Sequence, residues 1–293
     1  QNLLYLPGLC GYDESMTKDA SCAQAPRGSS ATKGVELKSM KLIDLSVLFE
    51  PDTLSDIPIM RPHFQYGNHE QGAGEMMKTY GCRRDQLPAG GCCADTHITC
   101  ADHSGTHMDA PWHYAPTMNN GEPSRTIDEM PLEWCMGDGV CLHFQDKPDG
   151  YKISAKDLEE YFDHIGYTLK PLDIVLLHTG AQKKYGQPEY GVTGCGMGRE
   201  ATLWLLNQGV KVVGTDAWSW DVPLPLVAKE FARTGDPSVI WEGHLAGMER
   251  EYYQMEKMTN LDQLPATGFR VICFPIKIKG GSAGWTRPVA LLP

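Results

Sequence analysis

Between residues 103 and 113 the chain reads His-Ser-Gly-Thr-His-Met-Asp-Ala-Pro-Trp-His, which sets three imidazoles and one carboxylate at short fixed offsets. Neutral imidazole and ionised carboxylate are ordinary ligands of Zn²⁺, Mn²⁺ and Fe²⁺. Three protein ligands with positions left open for water are what a catalytic site requires. His103, His107 and Asp109 are the expected ligands. His103 and His107 have the i, i+4 spacing of a helix face, but Gly105, Thr106 and Pro111 make a helix poor here. The reading therefore places them on a strand end and the turn after it, with Gly105 letting the backbone bend close to an ion. His113 lies past Pro111, where an imidazole could carry a proton to a leaving group. A fourth ligand and a structural hydrogen bonder are equally open readings of His113 at this point. Ordinary core or surface histidines would explain a lone imidazole, but they explain this density poorly.

Stepping outward, Lys41-Leu42-Ile43-Asp44-Leu45-Ser46-Val47 alternates like an opening strand, and Pro51 to Gly91 reads as a long irregular stretch covering a site. From Tyr151 the pattern is α/β. Ser154 with Asp157 three residues on caps an amphipathic helix, and Asp173-Ile174-Val175-Leu176-Leu177 reads as a buried strand. A second helix starts at Gly198-Arg199-Glu200 and stops at Gly209, before the strand Val210-Lys211-Val212-Val213-Gly214. Phe269 to Phe274 and Ile276 to Lys279 are expected as two short strands broken by Pro275. Residues 1 to about 38 are polar and rich in small residues, an arm or loop that packs on something else.

The 293 residues are expected to build one large mixed α/β domain. With 26 basic against 37 acidic residues, a net charge of −11 and no basic run, the chain has no means of tracking a phosphate backbone, so nucleic acid is not an expected partner. No stretch approaches the roughly 18 apolar residues of a bilayer span. The expectation is a soluble cytoplasmic protein, with export left open because the chain begins at Gln1 rather than Met. Its ten cysteines contain no C-x-x-C, so free thiols are expected, Cys10 and Cys22 being the pair least bound by that rule.

The string H-x-G-T-H-x-D-x-P-x-H resembles the signature of the cyclase-like family of metal-dependent hydrolases, which includes bacterial kynurenine formamidase and isatin hydrolase. The resemblance runs from about Leu42 to Pro293, through Ile43-Asp44-Leu45-Ser46, the strand ending in His178-Thr179-Gly180, Val213-Gly214-Thr215-Asp216-Ala217-Trp218-Ser219 and the closing Phe274-Pro275-Ile276-Lys277. It implies a single α/β domain over residues 41–293, with a mixed sheet or barrel-like β core flanked by helices, of swivelling β/β/α type, after a long N-terminal arm over residues 1–40. It also implies two further ligands, His244 and Glu256, twelve residues apart and so on separate elements. Asp109 could then bridge to a second ion, one or two Mn²⁺ or Zn²⁺ ions being possible, with His113 as the proton shuttle. Dimers or tetramers of one chain are the implied assembly.

The chain departs from the family pattern in the arm, in Gly91-Cys92-Cys93 and in His178 where many members carry Arg, all of which bears on substrate identity. Trp112, Trp134, Trp218 and Trp220 lie near site positions in sequence, and Trp112, Trp218 and Ser219 are the expected substrate contacts for a flat or ring-containing small molecule. The expected reaction is hydrolysis of the C–N bond of an amide, formamide or cyclic amide by metal-activated water. A lactone hydrolase or aromatic cyclase/dehydratase would use the same ligands, and a metal-binding protein without turnover is the third reading.

Overall fold

A computed structural model describes residues 40–88, 91 and 93–293, so the expected arm over residues 1–40 lies outside the described residues apart from Met40. In chain order β1 (Lys41–Asp44) is followed by β2 (His63–Gly67), α1 (His69–Tyr80), β3 (Asp95–Thr99), β4 (His107–Asp109), α2 (Pro111–Tyr114), β5 (Thr117–Met118), β6 (Glu122–Pro123) and β7 (Met136–His143). Next come β8 (Lys152–Ile153), α3 (Ala155–Ile165), β9 (Ile174–His178), β10 (Gly196–Met197), α4 (Arg199–Asn207), β11 (Val212–Thr215), α5 (Leu224–Thr234) and α6 (Glu242–Leu245). The chain closes with β12 (Tyr253–Glu256), β13 (Phe269–Ile272), β14 (Ala283–Trp285) and β15 (Val289–Leu292).

Nine strands form one mixed sheet in the order β1-β15-β13-β7-β9-β11-β12-β4-β14. Strands β7, β9, β11 and β12 run parallel, and antiparallel pairs extend the sheet at both ends. The parallel strands are apolar at consecutive positions because both of their faces are covered. Ile174, Leu176 and Val212 enter one core with Ile43, Met108 and Met255. Val175, Leu177 and Val213 enter the other, under Leu158 and Phe162 of α3 and Leu205 of α4. The expected α/β rhythm is thus present. Helix α3 begins where Ser154 caps the Asp157 amide while the Asp157 carboxylate accepts from the Ser154 amide, and it ends at Gly166 with φ 62°.

Two local expectations are corrected. The stretch from Pro51 to Gly91 is not irregular throughout: it contains β2 and the twelve-residue α1. Asn68 and Gln71 form a capping box and Gly81 closes the helix in the left-handed region, a signal that the scattered glycines obscured. Ile276–Lys279 forms no strand. Only Pro275 makes an isolated bridge, to Thr286, and the closing strands lie further on at β14 and β15.

Among the described residues no helix is long and apolar enough to cross a membrane. Cys82, Cys100, Cys135, Cys141, Cys195 and Cys273 are free thiols, as expected, while Cys10, Cys22 and Cys92 lie outside the described residues.

Candidate metal centre

Antiparallel pairing of β4 with β12 sets Glu256 opposite His107 and Gln254 opposite Asp109. Residues two apart on a strand share a face. His107, Asp109, Gln254 and Glu256 therefore make the four corners of a polar square, while Met108 and Met255 between them turn into the core behind. His103 comes from the turn between β3 and β4, and β4 itself carries His107 and Asp109, so the turn precedes the strand that bears these residues, which corrects the expected order. Gly105 in that turn has φ 64°, and a Cβ there would stand 2.7 Å from the Phe49 ring, so only glycine fits. Pro111 starts the single turn of α2. That turn brings the His113 ring to 4.0 Å, centroid to centroid, from the ring of His103. His244 arrives from α6, a separate element from the strand that carries Glu256, as expected.

These side chains converge. Asp109 Oδ1 lies 2.8 Å from His103 Nδ1 and 3.1 Å from His107 Nε2, and His107 Nε2 is 3.7 Å from Glu256 Oε2. His244 Nε2 is 4.0 Å from Asp109 Oδ2 and 3.8 Å from Glu256 Oε1. Potential ligand atoms within 4.8 Å of one another fall into two groups that share Asp109: His103 with Asp109 and His113, and His107 with Asp109 and Glu256. Although close to each other, His107 Nε2 and Asp109 Oδ1 are buried and neither makes a hydrogen bond. Orphaned buried polar atoms are costly and rare, so this pair of lone-pair bearers asks for a partner.

Three of the four imidazoles, those of His103, His107 and His244, are aimed by a contact at Nε2, Nδ1 and Nδ1 respectively. His103 Nε2 donates to Ser282 Oγ at 3.0 Å, whose hydroxyl donates to Asp102 at 3.0 Å. His107 Nδ1 donates to the Gly105 carbonyl at 2.9 Å, and His244 Nδ1 donates to Asp221, itself held by the Gly243 amide at 2.6 Å. For His103 and His107 such outer contacts fix the tautomer that turns the remaining lone pair inward.

Electrostatics follow the same plan. Burial by itself would raise the pKa of Asp109, but His107, His113 and His103 outweigh it and hold the carboxyl well below its ordinary range. Burial would lower the pKa of His244, yet Asp221, Glu256 and Asp109 push it up to about 9. His113 behaves oppositely: burial and the neighbouring His103, His244 and His107 outweigh Asp109 and bring it down to about 4. Its imidazole is therefore neutral near pH 7.

The family model for the cyclases matches residues 43–222, well over half of the chain and all of the segment from His103 to His113. The chain belongs to the cyclase family. A kynurenine formamidase from Erythrobacter litoralis (strain HTCC2594) is 28% identical over 192 residues, 66% of this chain and 74% of that protein. Among solved structures, an isatin hydrolase bound to the product analogue thioisatinate superposes with a TM-score of 0.69 at 17% identity, over 87% of this chain and 94% of the other. Isatin hydrolase A from Labrenzia aggregata bound to benzyl benzoate gives 0.65 at 22% identity, over 88% and 96%. At these identities the likeness to the solved structures is one of fold.

In this cyclase-family chain the centre opens into a cavity of about 190 Å³ walled by Met60, Trp218, Ser219, Leu224 and Trp241. A second, apolar pocket of about 360 Å³ adjoins it through Trp218 and Leu224. Of the expected substrate contacts, Trp218 and Ser219 border the cavity. Trp112 does not: it is 49% exposed, because on the one-turn α2 it points away from the side that carries His113 inward. Trp220 is core, donating to Thr202 at 3.0 Å, and Trp134 packs edge-on against Tyr253. His178 also lies away from the cavity, buried in β9 beside His143 at 3.1 Å, so that departure from the family pattern does not shape the pocket.

Sequence reasoning missed Gln254, Asp221, Trp241 and the buried pair of Lys257 and Asp56. Only Gln254 carried a local sign, its offset of two from Glu256 in a strand. Trp241 stacks on the His244 ring, 4.7 Å away and 9° from parallel, so it forms part of the wall that positions that imidazole.

Proposed function

We propose that this protein is a metal-dependent hydrolase that cleaves the C–N bond of a small, ring-containing amide, formamide or cyclic amide. The observation that carries the reading is the buried, partnerless pair His107 Nε2 and Asp109 Oδ1 at the middle of an inward-aimed imidazole and carboxylate set. The donor set fits Mn²⁺ or Zn²⁺, with His103 Nδ1, His107 Nε2 and Asp109 Oδ1 holding the ion and Glu256 Oε2 within reach. When bound, such an ion supplies Lewis acidity toward a carbonyl oxygen and lowers the pKa of water. The names of the relatives support the reaction class, since one is a kynurenine formamidase and two are isatin hydrolases.

The chain's own residues do the remainder. Trp218, Leu224 and Trp241 offer flat apolar walls to a ring and exclude water from it. The ring nitrogens of His113 have no hydrogen-bond partner among the described residues, so the neutral imidazole is free to take a proton and pass it to the departing nitrogen. His113→Ala is expected to lose about 10²- to 10⁴-fold in turnover while keeping its metal. Metal analysis alongside kcat decides this, and an equal loss of metal would make His113 a ligand.

The reading as a whole is tested by assaying hydrolysis of N-formylkynurenine, isatin and simple anilides before and after chelation, with metal content measured on the same samples. Activity lost on chelation and restored by Mn²⁺ or Zn²⁺ is expected. Metal-replete protein that turns over no amide, formamide or cyclic amide would refute it.

A further inference from the structure

We propose that Gln254 fills the position a second ion would need, so that the centre takes one divalent ion rather than two. The inference rests on the metal-dependent reading above. For Asp109 to bridge to a second ion, its Oδ2, His244 Nε2 and Glu256 Oε1 must all lie roughly 2.0–2.2 Å from one point. That point is taken. Gln254 Nε2 stands 3.1 Å from Asp109 Oδ2, 2.8 Å from His244 Nε2 and 3.0 Å from Glu256 Oε1. An ion at bonding distance from those three atoms would overlap the amide.

The placement is enforced by the backbone. Pairing of β4 with β12 sets Gln254 opposite Asp109, and the shared face of alternate strand residues turns both side chains to the same side. Gln254 is fully buried, and its Oε1 is 2.9 Å from the hydroxyl of Tyr252, which also reaches the Gly243 carbonyl at 2.8 Å. The amide is thus held at both ends, by Tyr252 on one side and by the two carboxylates on the other. Its Nε2 carries two hydrogens, and the carboxylate oxygens Asp109 Oδ2 and Glu256 Oε1 accept them at 3.1 and 3.0 Å. A neutral donor thus performs on this side of Asp109 the task that a cation would perform.

The two oxygens of Asp109 make the contrast explicit. Oδ2 is satisfied by Gln254, whereas Oδ1 and the facing His107 Nε2 have no hydrogen-bond partner at all. Demand for a cation is therefore confined to the side of His103 and His107. His244 becomes a positioning residue that anchors the glutamine and the Trp241 wall rather than a ligand.

The test is a metal count. Full-length wild type and Gln254→Ala are equilibrated with excess Mn²⁺ or Zn²⁺, separated from free metal by gel filtration and measured for ions per chain, with melting temperature as the check on folding. One ion is expected on the wild type, and a count rising toward two on Gln254→Ala, which vacates the point. Two ions on the wild type overturn the inference and leave the metal-dependent reading intact. A Gln254→Ala protein that melts like the wild type yet stays at one ion also overturns it. No ion on either protein removes the metal-dependent reading and the inference with it. If Gln254→Ala fails to fold, the wild-type count decides alone.

Discussion

Asp109→Ala is expected to abolish metal retention and to lower kcat/KM by about 10³-fold or more, a loss of roughly 4 kcal/mol of transition-state stabilisation. Asp109 is fully buried, and its Oδ1 is the single atom that both His103 and His107 approach, at 2.8 and 3.1 Å. Removing it deletes an anionic ligand and leaves two imidazoles facing each other across a gap with no negative charge between them. Asp109→Asn separates charge from shape: it keeps the volume but offers a neutral oxygen, so metal content is expected to fall there too. Inductively coupled plasma mass spectrometry on the purified variants, with kcat/KM on the same preparations, measures both. An alanine variant that keeps its full metal complement and stays within tenfold of wild-type activity would show that the carboxylate is not a ligand.

The second large effect lies just outside the centre. Lys257→Met is expected to destabilise the fold by about 3–5 kcal/mol, the usual result of removing one partner from a buried ion pair. The Lys257 side chain is 1% exposed and contacts Asp56, whose own side chain is fully buried and whose Oδ2 has no hydrogen-bond partner. Lys257 also donates to the His103 carbonyl at 2.8 Å and lies 5.1 Å from the Trp218 ring centroid. It thereby ties the loop carrying Asp56 and Met60 to the residue after Glu256. Loss of the ammonium strands a buried carboxylate and loosens that wall of the cavity, so KM should rise by a larger factor than kcat falls. Urea unfolding of Lys257→Met and of the double variant Asp56→Asn/Lys257→Met provides the measurement. The double variant is expected to recover most of the stability, because the stranded charge, not the lost attraction, dominates the cost. A single variant within 1 kcal/mol of wild type would show that the pair does not hold the loop.

Much of the imidazole and carboxylate cluster was legible because its spacing is local. Three imidazoles and a carboxylate within one short segment cannot scatter far in space, and α3 announced itself through Ser154 and Asp157, three residues apart. The buried strands β9 and β11 were equally plain, since covering both faces forces an unbroken apolar run. Other expectations failed for physical reasons. Helix α1 was hidden among glycines, with its capping signal one residue outside it. Trp112 stood next to a site residue in sequence but pointed elsewhere, because on a helical turn adjacent residues diverge by about 100°.

By itself, then, the sequence determined the chemistry on offer: imidazole and carboxylate ligands on a strand of an α/β domain. Tertiary structure alone decided where Gln254 stands among those groups, which walls border the cavity and what anchors them. The register of β12 against β4 placed Gln254 beside Asp109, 145 residues away, and packing joined Asp56 to Lys257 across 201 residues. Periodicity and capping act over a few residues and can be read from spacing, whereas strand register and long-range packing follow from the fit of whole surfaces, which no local spacing encodes.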